Sequence, residues 1–429
     1  MTRVRTVVII GLVALFLGLA TSRTPFFTVF YAVALVLIVT YFWARLALSR
    51  VQLVRQTRAR RAQVGSTLTE TFTIRNRGLI RNMWVEVDDE SDLPDHHASH
   101  IISSLSGKSE YTWKVRTFCR ERGRFRLGPI TLTSGDPFGL FRIRYHLAHT
   151  SNIVVYPSTV ALRSFPLPIG MLPGGDALRR RTHYITTNAS GVRDYAPGDP
   201  FNRIHWKSTA RKDRLIVKEF ELDPLADVWI ILDLWSGTHY GDRRLPDIDL
   251  DDMDLLLQKK AMPHYTLPPS SEEYAICAAA SIGQYFLRRD RTLGFMANGQ
   301  RREMLQADRG ERQLEKLLET LAVLRAQGQV PFEELLYRES PALPRGSTLI
   351  LISPSPVPKW AQVARHLKRS GLHVTAVVLD IQSFGGPPGI ENVIAELVAS
   401  GIPISLVRNG DQLEESLSTA KYGSAQVVA

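Results

Sequence analysis

Apolar positions fall along this chain in three patterns that change near residues 50 and 227. Residues 6–22 are seventeen consecutive positions without a charge, and 24–44 are twenty-one more. Val7 to Ile10 and Leu12 to Leu19 fill the first run; Phe, Val, Leu, Ile and Tyr dominate the second. At about 1.5 Å per helical residue, the second run crosses a hydrocarbon layer of about 30 Å. The first crosses if Arg5 and Arg23 snorkel. Ser22-Arg23-Thr24-Pro25 is the turn between them. A signal peptide also starts basic and apolar, but the second run would remain as an anchor after cleavage. The pattern predicts a transmembrane helical hairpin over 1–50. Phe26, Phe27, Tyr41 and Trp43 stand near its ends, where interfacial aromatics belong.

From 51 to 160 the period shortens to two. Leu68–Ile74, Met83–Val87 and Tyr111–Val115 alternate, and glycine-centred turns recur at Gly78, Gly107, Gly123, Gly128 and Gly135. Short strands with frequent turns predict a small antiparallel β-sandwich. A linking segment occupies 161–226. From 227 to 420, apolar strands (Val228–Leu232, Leu293–Met296, Thr348–Ile352, Val374–Leu379, Ile404–Val407) alternate with helical patterns at 272–289, 311–325, 359–369 and 391–399. That alternation predicts an α/β domain with a parallel sheet covered on both faces.

Charge sharpens the membrane reading. The net charge of +11 looks like a nucleic-acid signal until it is located. Residues 1–69 hold nine Arg and no acid; the remaining 44 cations face 42 acids. Arg3 and Arg5 precede the hairpin, Arg45 to Arg61 follow it, and the turn has Arg23 alone. The positive-inside rule then places both termini in the cytoplasm, with the chain held in the cell membrane and in contact with the lipid bilayer. No helix-turn-helix, zinc or RNA-binding signature accompanies the cations, so no specific nucleic-acid partner is expected. Cys119 and Cys277 are far apart and read as buried apolar side chains.

Several clusters invite a chemical reading. His96, His97 and His100 could hold a metal, but a solvated polar loop is the expectation. Asp247, Asp249, Asp251, Asp252 and Asp254 hint at a Ca²⁺ loop, yet the frame of an EF-hand is missing. Gly170 to Asp176 is glycine-rich without the Lys-Ser/Thr ending of a P-loop. Residues 178–218 are denser: ten cations against three acids. There Asp199 reads as an N-cap and Pro200 as the first position of a helix running to Arg211. Arg203, Lys207 and Arg211 would form one basic stripe on it. Trp206 is expected to pack its ring against a domain, and His205 to be a hydrogen-bonded structural residue. The cations serve either as a clamp between domains or as a docking surface for an acidic partner.

The run from Gly191 to Glu221 resembles the signature of the DUF58 family, through Arg193-Asp194-Tyr195, Pro197-Gly198-Asp199, Ile204-His205-Trp206-Lys207 and Thr209-Ala210-Arg211. Gly123 to Pro129 and Asp136 to Phe141 resemble other parts of that family's pattern; read physically, they are turn chemistry plus core aromatics. The resemblance implies a membrane-anchored bacterial protein, a domain similar to von Willebrand factor A, and a MoxR-type AAA+ ATPase as partner. Such domains often bind Mg²⁺ through Asp-x-Ser-x-Ser after the first strand. Here that segment is Asp233-Leu234-Trp235-Ser236-Gly237-Thr238, and Trp235 and Gly237 replace the serines. Asp233 is thus a degenerate metal position, and no cofactor is expected. The function implied is an interaction or scaffold protein in complex assembly or maturation, not an enzyme. The alternatives are a metal-dependent hydrolase using Asp233, Asp380 and His205, and an outward-facing envelope protein.

Overall fold

In the computed structural model, which describes residues 2–166, 189–195, 204–220, 227–242 and 265–419, the two apolar runs form helices α1 (Thr2–Thr21) and α2 (Thr24–Ser49). Both are long and apolar enough to cross a membrane. They meet at glycines: a Cβ on Gly11 would lie 3.1 Å from Val33, and one on Gly18 would lie 3.2 Å from the Phe27 ring. Small residues let helices approach in this way. Leu12, Phe16, Leu35, Ile38 and Phe42 point outward and are exposed. The end of α2 is different: Ala44, Ala47 and Leu48 are buried.

Contacts divide the chain into two units. The first comprises residues 1–158, 244–268 and 318–324; the second holds 159–243, 269–317 and 325–429. After α2 the first unit continues through β1 (Val51–Thr57), β2 (Arg61–Gln63), β3 (Thr67–Asn76), β4 (Val85–Asp89), β5 (His100–Ile102), β6 (Glu110–Phe118), β7 (Gly123–Leu127), β8 (Ile130–Gly135), β9 (Arg142–Leu147) and β10 (Ser151–Tyr156). They form three sheets, ordered β1-β3-β6, β2-β10-β7 and β5-β4-β8-β9. All pairings are antiparallel except β2 with β10. Alternation on β3 sends Leu68, Phe72 and Ile74 inward. Leu48 and Val51 join Phe72, Ile74, Val85 and Leu132 in one core, so the end of α2 belongs to the β structure. Phe138 does not fit the expectation of a core aromatic: it is exposed.

In the second unit β11 (Ala189–Asp194) pairs antiparallel with β12 (Ile216–Phe220), and α3 (Trp206–Lys212) lies between them in sequence. The main sheet takes β13 (Val228–Leu232), β14 (Leu293–Asn298), β15 (Arg302–Asp308), β16 (Thr348–Ser353), β17 (His373–Leu379) and β18 (Ile404–Val407) in the order β15-β14-β13-β16-β17-β18. It is mixed, not purely parallel as predicted, because edge strand β15 runs antiparallel to β14. Helices α4 (Ser271–Leu287), α5 (Glu311–Val323, whose residues from 318 on fall in the first unit), α6 (Phe332–Glu339), α7 (Lys359–Arg369), α8 (Ile390–Ala399) and α9 (Leu413–Ser418) follow. Trp229, Ile231, Leu349 and Leu351 share a core with Phe332, Trp360 and Val393 of α6, α7 and α8. The alanine-rich α4 packs on β13, β14 and β16, with Ala275, Ala278 and Ala279 buried. Gly294 sits beside Trp229, and a Cβ there would come within 2.4 Å of the indole.

Candidate functional site

An open sheet of this order reverses direction between β13 and β16, and the crevice at such a switch point is where α/β folds bind ligands. Asp233 follows β13 there, and Ser353 ends β16. Asp233 is 1% exposed. Its Oδ2 accepts from the Ser353 hydroxyl at 2.6 Å, and its Oδ1 accepts from Trp235 N at 3.0 Å. Burial dominates and pushes its carboxyl up to about 7; the Ser353 and Trp235 hydrogen bonds oppose the rise, and Glu333 adds to it. Ser353 Oγ also accepts from Ser355 N at 3.0 Å, and Ser355 O accepts from the Trp360 indole N–H at 3.1 Å. The β16 end is therefore held in place from α7.

The loop after Asp233 is pinned as firmly. The Asp233 carbonyl lies 3.0 Å from His239 Nε2. A carbonyl only accepts, so Nε2 carries a hydrogen. His239 Nδ1 faces Ser271 Oγ at 3.3 Å, and that oxygen accepts from Tyr240 N at 2.9 Å. Ser271 is the first residue of α4 and fully buried, so this pair ties the loop to the helix. Neither His239 nor the contact of Ser353 with Asp233 was foreseen. The chain Asp233…His239…Ser271 has no regular spacing, and hydroxyls so common in loops give no signal of their own.

The donor set does not fit a divalent ion. Mg²⁺ needs oxygen ligands in near-octahedral array. Thr238 Oγ1 is turned back onto Trp235 O at 3.0 Å, and Ser236 is exposed. Ser353 directs its hydrogen at the carboxylate. Asp380 follows β17, two strand spacings or about 10 Å from β13, and its Oδ2 accepts from Arg408 Nε at 3.1 Å. His205 is occupied in α3. No group of three metal-type side chains assembles among the described residues. Asp233, Asp380 and His205 are thus not joined by any described contact.

The signature segment departs from its expected form. Among the described residues the helix runs over Trp206–Lys212, after a bridge of Ile204 with Val217; the expected start at Pro200 lies outside the described residues. His205 caps the described helix: its Nδ1 accepts from Ser208 N at 3.2 Å and lies 2.7 Å from Ser208 Oγ. His205 N donates to Ile216 O at 2.8 Å, and Thr209 Oγ1 accepts from Ile216 N at 3.1 Å, fixing α3 against β12. The His205 ring is hydrogen-bonded within this short segment. Trp206 is not packed: it is 67% exposed. Lys207 and Arg211 stand exposed on the same short helix, followed by an Arg214 to Asp194 pair at 3.1 Å. Arg193 lies on β11 opposite Val217. Asp199 and Arg203 lie outside the described residues, as do Gly170 to Asp176 and the Asp247–Asp254 cluster.

The three histidines of the first unit go separate ways. His96 is not solvated: its side chain is fully buried, 3.0 Å from Asp89 Oδ2 and 2.7 Å from Thr117 Oγ1. Arg55 meets Glu70 there in a two-pronged pair at 2.8 Å and reaches Asp89 Oδ1 at 3.3 Å. His97 is exposed, and His100 stacks on Trp113 at 5.1 Å.

Residues 191–250 match the family described as "Protein of unknown function DUF58". The uncharacterized protein YeaD of Bacillus subtilis (strain 168) is 23% identical over 200 residues, covering 44% of this chain and 50% of the relative. Both findings support the DUF58 family. This chain spans half the length of that relative. Among solved structures, proximal thread matrix protein 1 from the mussel byssus aligns over 45% of this chain and 46% of its own, with a TM-score of 0.28 and 13% identity. A CARDB domain from Pyrococcus furiosus aligns over 24% of this chain and 91% of its own, with a TM-score of 0.20 and 14% identity. Likenesses at these scores carry no argument about fold or function. The segment matched by the DUF58 family includes both α3 and Asp233.

Proposed function

We propose that this chain is a membrane-anchored interaction protein whose α/β unit docks a protein partner, by family resemblance a MoxR-type AAA+ ATPase, in the assembly or maturation of complexes. The observation that carries this reading is Trp206. An indole two-thirds exposed, beside exposed Lys207 and Arg211, has the composition of a protein-binding hot spot. Such a surface suits a partner with acidic side chains around an apolar pocket. The Asp233 region supports holding over transforming, since its carboxyl and hydroxyl are spent on each other and on backbone. Strand order, with the antiparallel edge strand outside a parallel sheet, supports the likeness to von Willebrand factor A. The apolar hairpin supports an anchor, and Arg3, Arg5, Arg45 and Arg50 against lone Arg23 support a cytoplasmic position for the rest.

The test uses purified full-length protein in lipid nanodiscs and a purified MoxR-type AAA+ ATPase, with affinity measured in ATP and in ADP. Trp206→Ala should weaken binding at least about tenfold, as loss of a central anchor does. Lys207→Glu with Arg211→Glu should also weaken it and reduce its salt dependence. Absence of binding in both nucleotides, or binding indifferent to Trp206→Ala, overturns the reading.

A further inference from the structure

Strands β8 and β9 are joined by Asp136-Pro137-Phe138-Gly139-Leu140-Phe141, and the turn is tightly built. Asp136 is buried; its Oδ2 accepts from Phe138 N at 2.9 Å and its Oδ1 from Phe141 N. Its carbonyl accepts from Gly139 N at 3.1 Å, and Gly139 has a φ of +67°, which favours glycine. Three bonds to one residue fix a shape in which Phe138 is 67% exposed. A large apolar ring is thus displayed by a rigid turn.

Its neighbours say what it faces. Phe141 meets the Tyr41 ring of α2 edge-on, with centroids 5.5 Å apart. Arg3 Nη1 lies 3.5 Å from where a Gly139 Cβ would stand. Gly11 beside Val33 and Gly18 beside Phe27 set the antiparallel register of the hairpin, and in that register Arg3 falls level with Tyr41. From Tyr41 to Arg23 is about 27 Å of helix at 1.5 Å per residue, close to the hydrocarbon thickness of about 30 Å. The turn therefore sits at the level where the apolar span ends. Arg3, Arg45 and Arg142 are exposed around that level, suited to anionic headgroups.

We propose that the Asp136–Phe141 turn is a membrane-docking wedge, with Phe138 inserted into the interfacial layer of the bilayer that α1 and α2 cross. Aromatic rings are favoured in that layer. The proposal rests on the membrane reading of the hairpin, and its test separates the two. Cys119 and Cys277 are buried, and burial pushes their thiols up to about 11 and about 12. Neither reacts readily with a thiol label at neutral pH. Full-length Phe138→Cys, Ala148→Cys and Leu35→Cys are labelled with nitrobenzoxadiazole in phosphatidylcholine and phosphatidylglycerol nanodiscs. The lipids carry nitroxide quenchers at shallow or deep acyl positions. Ala148 follows β9 at the end away from the turn, and Leu35 lies in mid-span. Shallow quenchers should act severalfold more strongly at 138 than at 148, and deep ones at 35. If 35 is quenched but 138 no more than 148, the wedge is wrong and the anchor stands. If 35 is not quenched, the anchor fails and the wedge with it. A label on Pro137→Cys, with Phe138 kept, should lose its shallow quenching severalfold when Phe138→Ser is added; unchanged quenching would show that the ring does not hold the turn at the bilayer.

Discussion

At the residue scale, Asp233 makes the sharpest prediction. Its carboxyl titrates near 7 in the fold against 3.8 in the open chain. Between those values the folded state binds more protons than the unfolded state, so stability falls as pH rises from about 4 to about 7 and is flat above. A shift of this size corresponds to on the order of 4 kcal/mol. Asp233→Asn removes the titration and can still accept from Trp235 N and donate to Ser353. It should melt several degrees above wild type at pH 8, at roughly 2–4 °C per kcal/mol, and near wild type at pH 4. Ser353→Ala removes a contact that favours the charged form, so the pH midpoint should move upward; scanning calorimetry across pH reads both. This site was only partly legible in sequence. Asp233 stood out as a strand-end acid with the wrong residues after it. Ser353 lies 120 positions away, and only the register of β13 beside β16 brings the two together.

At the element scale, the central strands were legible because burial on both faces demands unbroken apolar runs, as in Val228–Leu232. Strand β15 was not. Arg302, Glu303 and Asp308 make it read as loop, yet charge is what an exposed edge strand carries to discourage pairing with other chains. The expected start of a helix at Asp199-Pro200 lies outside the described residues; within them, His205 caps α3 just after the bridge of Ile204 to Val217. Exposure of Trp206 has no sequence signal at all, since an indole usually packs. Glycine 294 carries a prediction of its own. The Cβ of Gly294→Ala would overlap the Trp229 ring, forcing β14 or the indole to shift. Overpacking of this kind costs about 1–3 kcal/mol. The second unit should lose several degrees of melting temperature while the helical content by circular dichroism stays unchanged.

At the scale of the whole molecule, the three hydrophobic patterns map onto a helical pair, antiparallel sheets and a mixed α/β sheet, since each pattern reports which surfaces are hidden from water. The Arg distribution makes the orientation testable. Protease added to intact cells should leave the chain after residue 50 whole, and protease added to inverted membrane vesicles should digest it; the opposite outcome would place it outside. The junction of α2 with β1 bears on how such a molecule works. One residue, Arg50, separates the helix from the strand, and Leu48 and Val51 on either side are buried in the same core. A floppy tether would let the folded part wander over a wide volume. This joint instead makes helix and sheets a single lever: with α2 in a bilayer, as proposed, the β structure would keep one height and one heading above the lipid, and a sideways push on it would become a tilt of the helix.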